Sequence, residues 1–181
     1  MFPFAHRLAD RLDRLADPLL PTLARLVFAG VLAVYFWASA LTKLGDGFFG
    51  FLSPSVGAYA QIFPKSFEAV GYDASQMSWF QWLVVVAGTW AEFILPALIL
   101  LGLLTRLASL GMIGFIIVQS VVDITGHGAD AATIGAWFDR PSGAIILDQR
   151  ALWLLCLAIP LLKGAGPISL DRLLFSRPQT P

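Results

Sequence analysis

Cysteine is nearly absent from this chain. Cys156 stands alone in 181 residues, which excludes an internal disulfide, a CxxC redox pair and any cysteine-built zinc or iron–sulfur site. Histidine is almost as scarce, and His6 and His127 are expected on opposite membrane faces, so one chain cannot supply paired axial ligands to a haem. Asp123, His127 and Asp130 fall near one another. One imidazole and two carboxylates at loose spacing do not make a metal motif, and no metal site is assigned. There is no GxSxG elbow, no GxxxxGK(S/T) loop and no HExxH pair, so the familiar hydrolase, nucleotide and metalloprotease routes lack support. Charge is sparse as well. Twelve basic and twelve acidic residues cancel, which gives no reason to expect a nucleic-acid partner. No internal repeat or low-complexity segment is present.

What the chain does have is apolar mass. It is 57% hydrophobic and 13% charged, with mean hydropathy +0.75, a composition of integral membrane proteins. Four stretches read as spanning helices: Thr22 to Leu44, Trp79 to Leu104, Arg106 to Asp123, and about Ala144 to Leu162. About 20 apolar residues rising 1.5 Å each cross a hydrocarbon core of about 30 Å. The fourth stretch is interrupted by Asp148, Gln149 and Arg150, so it is either a short helix or one whose polar groups are sheltered in the bundle. The expected fold is an all-α, integral membrane four-helix bundle, with an amphipathic segment over 1–21, the membrane domain over 22–174 and a tail over 175–181.

The amphipathic segment repeats Phe4, Leu8, Leu12, Leu15 and Leu19 at steps of three or four, with Arg7, Asp10, Arg11, Asp13 and Arg14 on its polar side. That pattern suits a helix on the membrane surface; the alternative is a solvated helix with charge pairs such as Asp10 with Arg14. Three aspartates before the first apolar run argue against a cleavable signal peptide, although the run ends in Ala38-Ser39-Ala40. Arg7, Arg11, Arg14, Arg25, Arg106, Lys163, Arg172 and Arg177 gather on one side and Lys43, Lys65, Arg140 and Arg150 on the other. The basic excess places both termini in the cytoplasm. The two long connections, Gly45 to Ser78 and Thr125 to Gly143, then lie outside; the aromatic-rich first one is expected to cap the bundle, and the second to be irregular.

Glu92 lies in the middle of the second span, where an acidic side chain costs roughly 2.5 to 3.5 kcal/mol to insert. Pro96 withholds an N–H from the carbonyl of residue 92 in the same turn. Counting 1.5 Å per residue from the cytoplasmic ends puts Glu92 at about 18 Å and Gln119 and Arg150 at about 20 Å, with Tyr35 and Ser39 bracketing that level. A second layer holds Lys43 and Asp123 at about 26 Å and Asp148 at about 23 Å. The count therefore suggests an intramembrane polar site of Glu92, Arg150, Gln119, Tyr35 and Ser39, and an outer pairing of Lys43 with Asp123 or Asp148. Buried pairs of this kind either fix helix register or line a polar cavity in which Glu92 exchanges a proton or meets a head group.

Lys43 near the outer end of the first span, Glu92, the run Leu-Leu-Gly-Leu-Leu-Thr-Arg-Leu-Ala at 100 to 108 and the closing Gly-Pro-Ile-Ser-Leu-Asp at 166 to 171 together resemble the DoxX family of small four-helix bacterial membrane proteins. The resemblance runs from about Arg25 to Leu174. It implies an inner-membrane protein whose relatives include small subunits of quinol- or thiosulfate-oxidising complexes and membrane partners of oxidative-stress proteins. Related branches that mature redox enzymes carry cysteines, which this chain lacks; others are encoded with metal-peptide maturation genes, which would imply an accessory role in metal handling. Three functions follow as expectations. The leading one is a non-catalytic accessory subunit that docks a membrane or periplasmic redox or maturation partner, with a quinone or lipid in its polar cavity and Glu92, Lys43 and Arg150 organising the site. The others are a small proton-linked carrier, motivated by intramembrane charges and prolines expected to break the second and fourth helices at Pro96 and Pro160, and a quinone-reactive oxidoreductase subunit with Glu92 relaying protons.

Overall fold

The computed structural model describes residues 3–175; the tail from 176 onward, with Arg177, lies outside them, as does the side chain of Phe4. The described residues are helical, without a strand. Four helices are long and apolar enough to cross a membrane: His6–Lys43, Trp79–Leu101, Thr105–Gly126 and Ile145–Lys163.

The first is a continuous helical rod made of α1 (Pro3–Phe28), a π-helical segment (Ala29–Ala33) and α2 (Val34–Lys43). The amphipathic stretch thus runs into the span without a break, with Pro18 and Pro21 inside α1. Leu8, Leu12, Leu15 and Leu19 stay exposed along it. Arg14 donates to the Asp10 carbonyl rather than to its carboxylate. The connection that follows folds into two short helices, α3 (Val56–Ile62) and α4 (Pro64–Ala69). They pack Tyr59 and Phe67 against Val85 of the second span, so this connection does cap the bundle.

The second span is α5 (Trp79–Leu101), opened by a reciprocal capping box between Ser78 and Gln81 and closed by left-handed Gly102. It passes through Pro96 intact, as α8 (Arg150–Lys163) passes through Pro160. The expected breaks do not occur. Both prolines are buried between neighbouring helices, which supply the packing that lets membrane helices tolerate a missing backbone bond; Trp37 donates its indole N–H to the Phe93 carbonyl at 3.1 Å in the interrupted turn. The third span is α6 (Thr105–Val121) continued by a π segment (Val122–Gly126), and the fourth is a π segment (Ile145–Gln149) continued by α8. Between them lies a single turn, α7 (Ala131–Ile134). Phe28, Leu32, Phe36, Ile99, Met112, Ile116 and Leu157 form the core that joins all four spans.

Arg25 ties the near end of the bundle, where the spans meet at Gly102 and Lys163. Its buried guanidinium donates to the carbonyls of Ile99 (2.8 Å), Leu100 (2.8 Å), Ala165 (2.6 Å) and Ile168 (2.8 Å). The Leu100 carbonyl is one that the end of α5 leaves without a helical partner, while that of Ile99 also accepts from the Gly102 N–H. Asp171, in the last helix α9 (Leu170–Phe175), accepts from the backbone N–H groups of Leu104 (2.7 Å) and Thr105 (2.9 Å) at the start of α6. A carboxylate there satisfies orphan donors and favours the helix dipole. Gly102 has φ +66°, and a Cβ on it would stand 2.5 Å from Arg25 Nη2. The segments 100–108 and 166–171, read from sequence as two separate motifs, are the two halves of this clamp.

Candidate functional site

At the far end of the first span, Lys43 is 4% exposed and Glu92 is 3% exposed. Their Nζ and Oε2 atoms are 2.8 Å apart, with Oε1 at 3.0 Å. Ser39 completes the group. Lys43 donates to its Oγ at 2.6 Å, and that hydroxyl donates to Glu92 Oε1 at 3.1 Å. A second pair joins the third and fourth spans: Arg150 Nη2 lies 2.6 Å from Asp123 Oδ2, and Nη1 donates to Ser120 Oγ at 2.9 Å.

These partners differ from those that depth counting gives. Lys43 meets Glu92 instead of Asp123 or Asp148, and Arg150 meets Asp123 instead of Glu92. The reason is side-chain direction. Helical side chains lean toward the N-terminus of their own helix, so those of neighbouring antiparallel spans lean toward each other. Lys43, on a span running outward from the near end, leans back toward Glu92, which leans out to meet it. Arg150 and Asp123 do the same from the fourth and third spans. Counting Cα heights ignored an offset of this kind for each long side chain.

The other expected members are partly gathered. Gln119 donates to the Tyr35 hydroxyl at 3.2 Å, while its Oε1 is buried without a partner, as is Arg150 Nε. Asp148 is not part of the far pair. It accepts from the backbone N–H of Ala144 at 2.9 Å and so caps the start of the fourth span. His127 Nε2 lies 3.0 Å from the carbonyl of Gln61 and Asp130 accepts from the Thr133 N–H at 2.7 Å, so Asp123, His127 and Asp130 each serve a different contact. The Thr133 hydrogen bonds hold the Asp130 carboxyl below the usual carboxylate range.

The Lys43–Glu92–Ser39 group forms one wall of a cavity of about 460 Å³. Gln119, Asp123, His127 and Gln61 add polar edges, and Val84, Leu95, Phe115, Val118 and Val122 make most of the rest apolar. Ala87, Gly88 and Ala91 of the second span face it, with Gly111 and Gly114 of the third. This is the composition of a small-molecule site: a largely apolar hollow in the range of roughly 300–1,000 Å³ with a few convergent polar groups. Sequence reading found Glu92, Lys43 and Ser39 but missed the small residues, whose signal was glycine recurring inside helices where it lowers stability. It also took Arg25 only as a marker of orientation.

No curated protein and no solved structure matches this chain. The DoxX family model matches residues 20–124, more than half of the chain and a range that holds Lys43, Glu92, the run at 100–108 and the walls of the cavity contributed by the first three spans. On that match, and with four helices of membrane-spanning length and composition, this multi-pass membrane protein belongs to the DoxX family.

Proposed function

We propose that the chain is a non-catalytic accessory subunit of a redox or maturation system, holding a quinone or a lipid in the cavity beside Glu92. The observation that carries this reading is the buried Lys43–Glu92 pair, at 2.8 Å, on the wall of an otherwise apolar hollow. A pair serving only to fix register needs no space beside it. The bilayer placement that goes with this reading is bacterial inner membrane with both termini cytoplasmic, supported by the basic excess on the side of Arg25, Arg106 and Lys163.

Native mass spectrometry of the protein extracted in mild detergent at its natural expression level tests the reading. A retained quinone or lipid together with a membrane or periplasmic protein partner supports it. A bare protein whose proton-coupled flux is lost in Glu92→Gln overturns it in favour of a carrier.

A further inference from the structure

Of the glycines of the second and third spans, Gly88 and Gly114 make room instead of contact, while Gly111 packs against Leu95 of the neighbouring span. In membrane bundles small residues usually let two backbones approach closely, and a Cβ added there would meet the neighbouring helix. Here a Cβ at Gly114 meets nothing within 4 Å, and one at Gly88 meets only Ile62 Cδ1 at 3.6 Å. Gly111 faces Leu95, whose flexible Cδ2 lies 3.1 Å away. Each glycine inside a helix lowers stability by roughly 0.5–1 kcal/mol relative to alanine, so residues that hold a slot open at that cost are best explained by what the slot admits.

The charges of the cavity cancel. Glu92 is paired with Lys43 and Asp123 with Arg150, each within 2.8 Å, so no net charge awaits an ionic head group. What is left over is hydrogen-bonding capacity. Gln119 lines the cavity with its Oε1 buried and unpartnered, and whichever way round the amide sits against Tyr35, one of its two polar atoms has no partner. Asp123 bonds Arg150 through Oδ2 alone. A hydroxyl, which donates and accepts, can donate to Asp123 and, once the Gln119 amide turns toward the cavity, satisfies that side chain in either setting. Depth points the same way. Gln119 lies fourteen residues from Thr105 and seven from Gly126, about 21 Å and 10 Å along the helix, a level below that of a phospholipid head group in a core about 30 Å thick.

Resting on the cavity reading above, the geometry points to a ligand with one apolar chain and a neutral hydroxyl head, entering sideways from the bilayer between the second and third spans. Its head lies at Gln119 and its chain runs along Gly88, Ala91, Gly111 and Gly114.

The test uses the full chain in phosphatidylcholine nanodiscs at pH 8, with bound probe read by native mass spectrometry at equal mole fractions of 1-dodecanol, dodecanoate and decylhydroquinone. The expected result is at least tenfold greater retention of dodecanol than of dodecanoate, and at least tenfold loss of dodecanol in Gly114→Leu, whose side chain fills the slot. Ala91→Leu fills it from the facing wall and serves if the first variant does not fold. Decylhydroquinone held more tightly than dodecanol identifies an aromatic diol as the source of the hydroxyl, and the reverse order identifies an aliphatic alcohol. Equal retention of dodecanol and dodecanoate overturns the neutral head. Undiminished binding in a folded slot-filled variant overturns the slot while leaving the cavity ligand standing. No probe retained by the unmodified protein overturns the cavity ligand itself and the slot with it.

Discussion

Lys43 and Glu92 depend on each other in a way that single substitutions expose. With both side chains about 5% exposed or less, Lys43→Met leaves a buried carboxylate without its cation, and we expect a loss of about 3–5 kcal/mol. The double variant Lys43→Met/Glu92→Leu removes both charges and is expected to lie within about 1 kcal/mol of the unmodified protein, since apolar replacements of buried pairs are often neutral. Denaturant unfolding in detergent measures both. A double variant as unstable as the single one would mean that the pair holds the fold together through contacts beyond its own charges. At this scale the sequence announced which residues are unusual but not whom they touch. Glu92 stood out because carboxylates are rare in apolar runs, whereas its partner depended on the lean of two side chains that no residue count contains.

Among the elements, the near-end clamp makes the sharpest demand on a single position. Gly102 combines φ +66° with the Arg25 guanidinium 2.5 Å from the place of a Cβ. Gly102→Ala should therefore cost at least about 1–2 kcal/mol from the left-handed backbone alone, with displacement of Arg25 added to that. Asp171→Ala removes the acceptor for two N–H groups and is expected to cost about 0.5–2 kcal/mol, as loss of a helix cap does. Both are read by the same unfolding measurement. The capped turn α7 offers a pH test. Hydrogen bonds from Thr133 depress the Asp130 carboxyl, so their contribution is fully present above the unfolded carboxylate pKa and disappears as pH falls through the lower folded value. Amide exchange at Thr133, corrected for intrinsic rates, should accelerate only in that acidic window, and Asp130→Ala should remove the pH step. The spans themselves were legible from length and apolarity, with most ends shifted by a few residues; the first is the exception, its helix running on from His6 instead of starting at Thr22. The clamp was not, because its two halves are apolar motifs more than sixty residues apart whose meeting depends on how the spans pack.

For the molecule as a whole, the two ends of the bundle are built on different principles. At the near end Arg25 and Asp171 fill carbonyls and N–H groups of the second and third spans, although Thr105 Oγ1 and Ser109 Oγ stay buried without partners there and a hollow of about 410 Å³ lies beside Arg25. Toward the far end lie a cavity of about 460 Å³ and the unpartnered Gln119 Oε1 and Arg150 Nε. Packing gaps and unmet polar groups both lower the free energy of local opening. A ligand that binds the folded state stabilises it by RT ln(1 + [L]/Kd), about 2.7 kcal/mol at a hundredfold excess over Kd, and protects first those segments that open below the global limit. Hydrogen exchange in nanodiscs with and without dodecanol should consequently slow over residues 84–95 and 111–127, which wall the cavity, and stay unchanged over 99–108 and 164–172, which the clamp already holds. Uniform slowing along all four spans would mean that the bundle opens as one unit and that the two ends do not differ in stability. Slowing confined to the clamp would place the binding site at the near end, in the smaller hollow beside Arg25, Leu101 and Ile168, and would separate Glu92 from the ligand altogether.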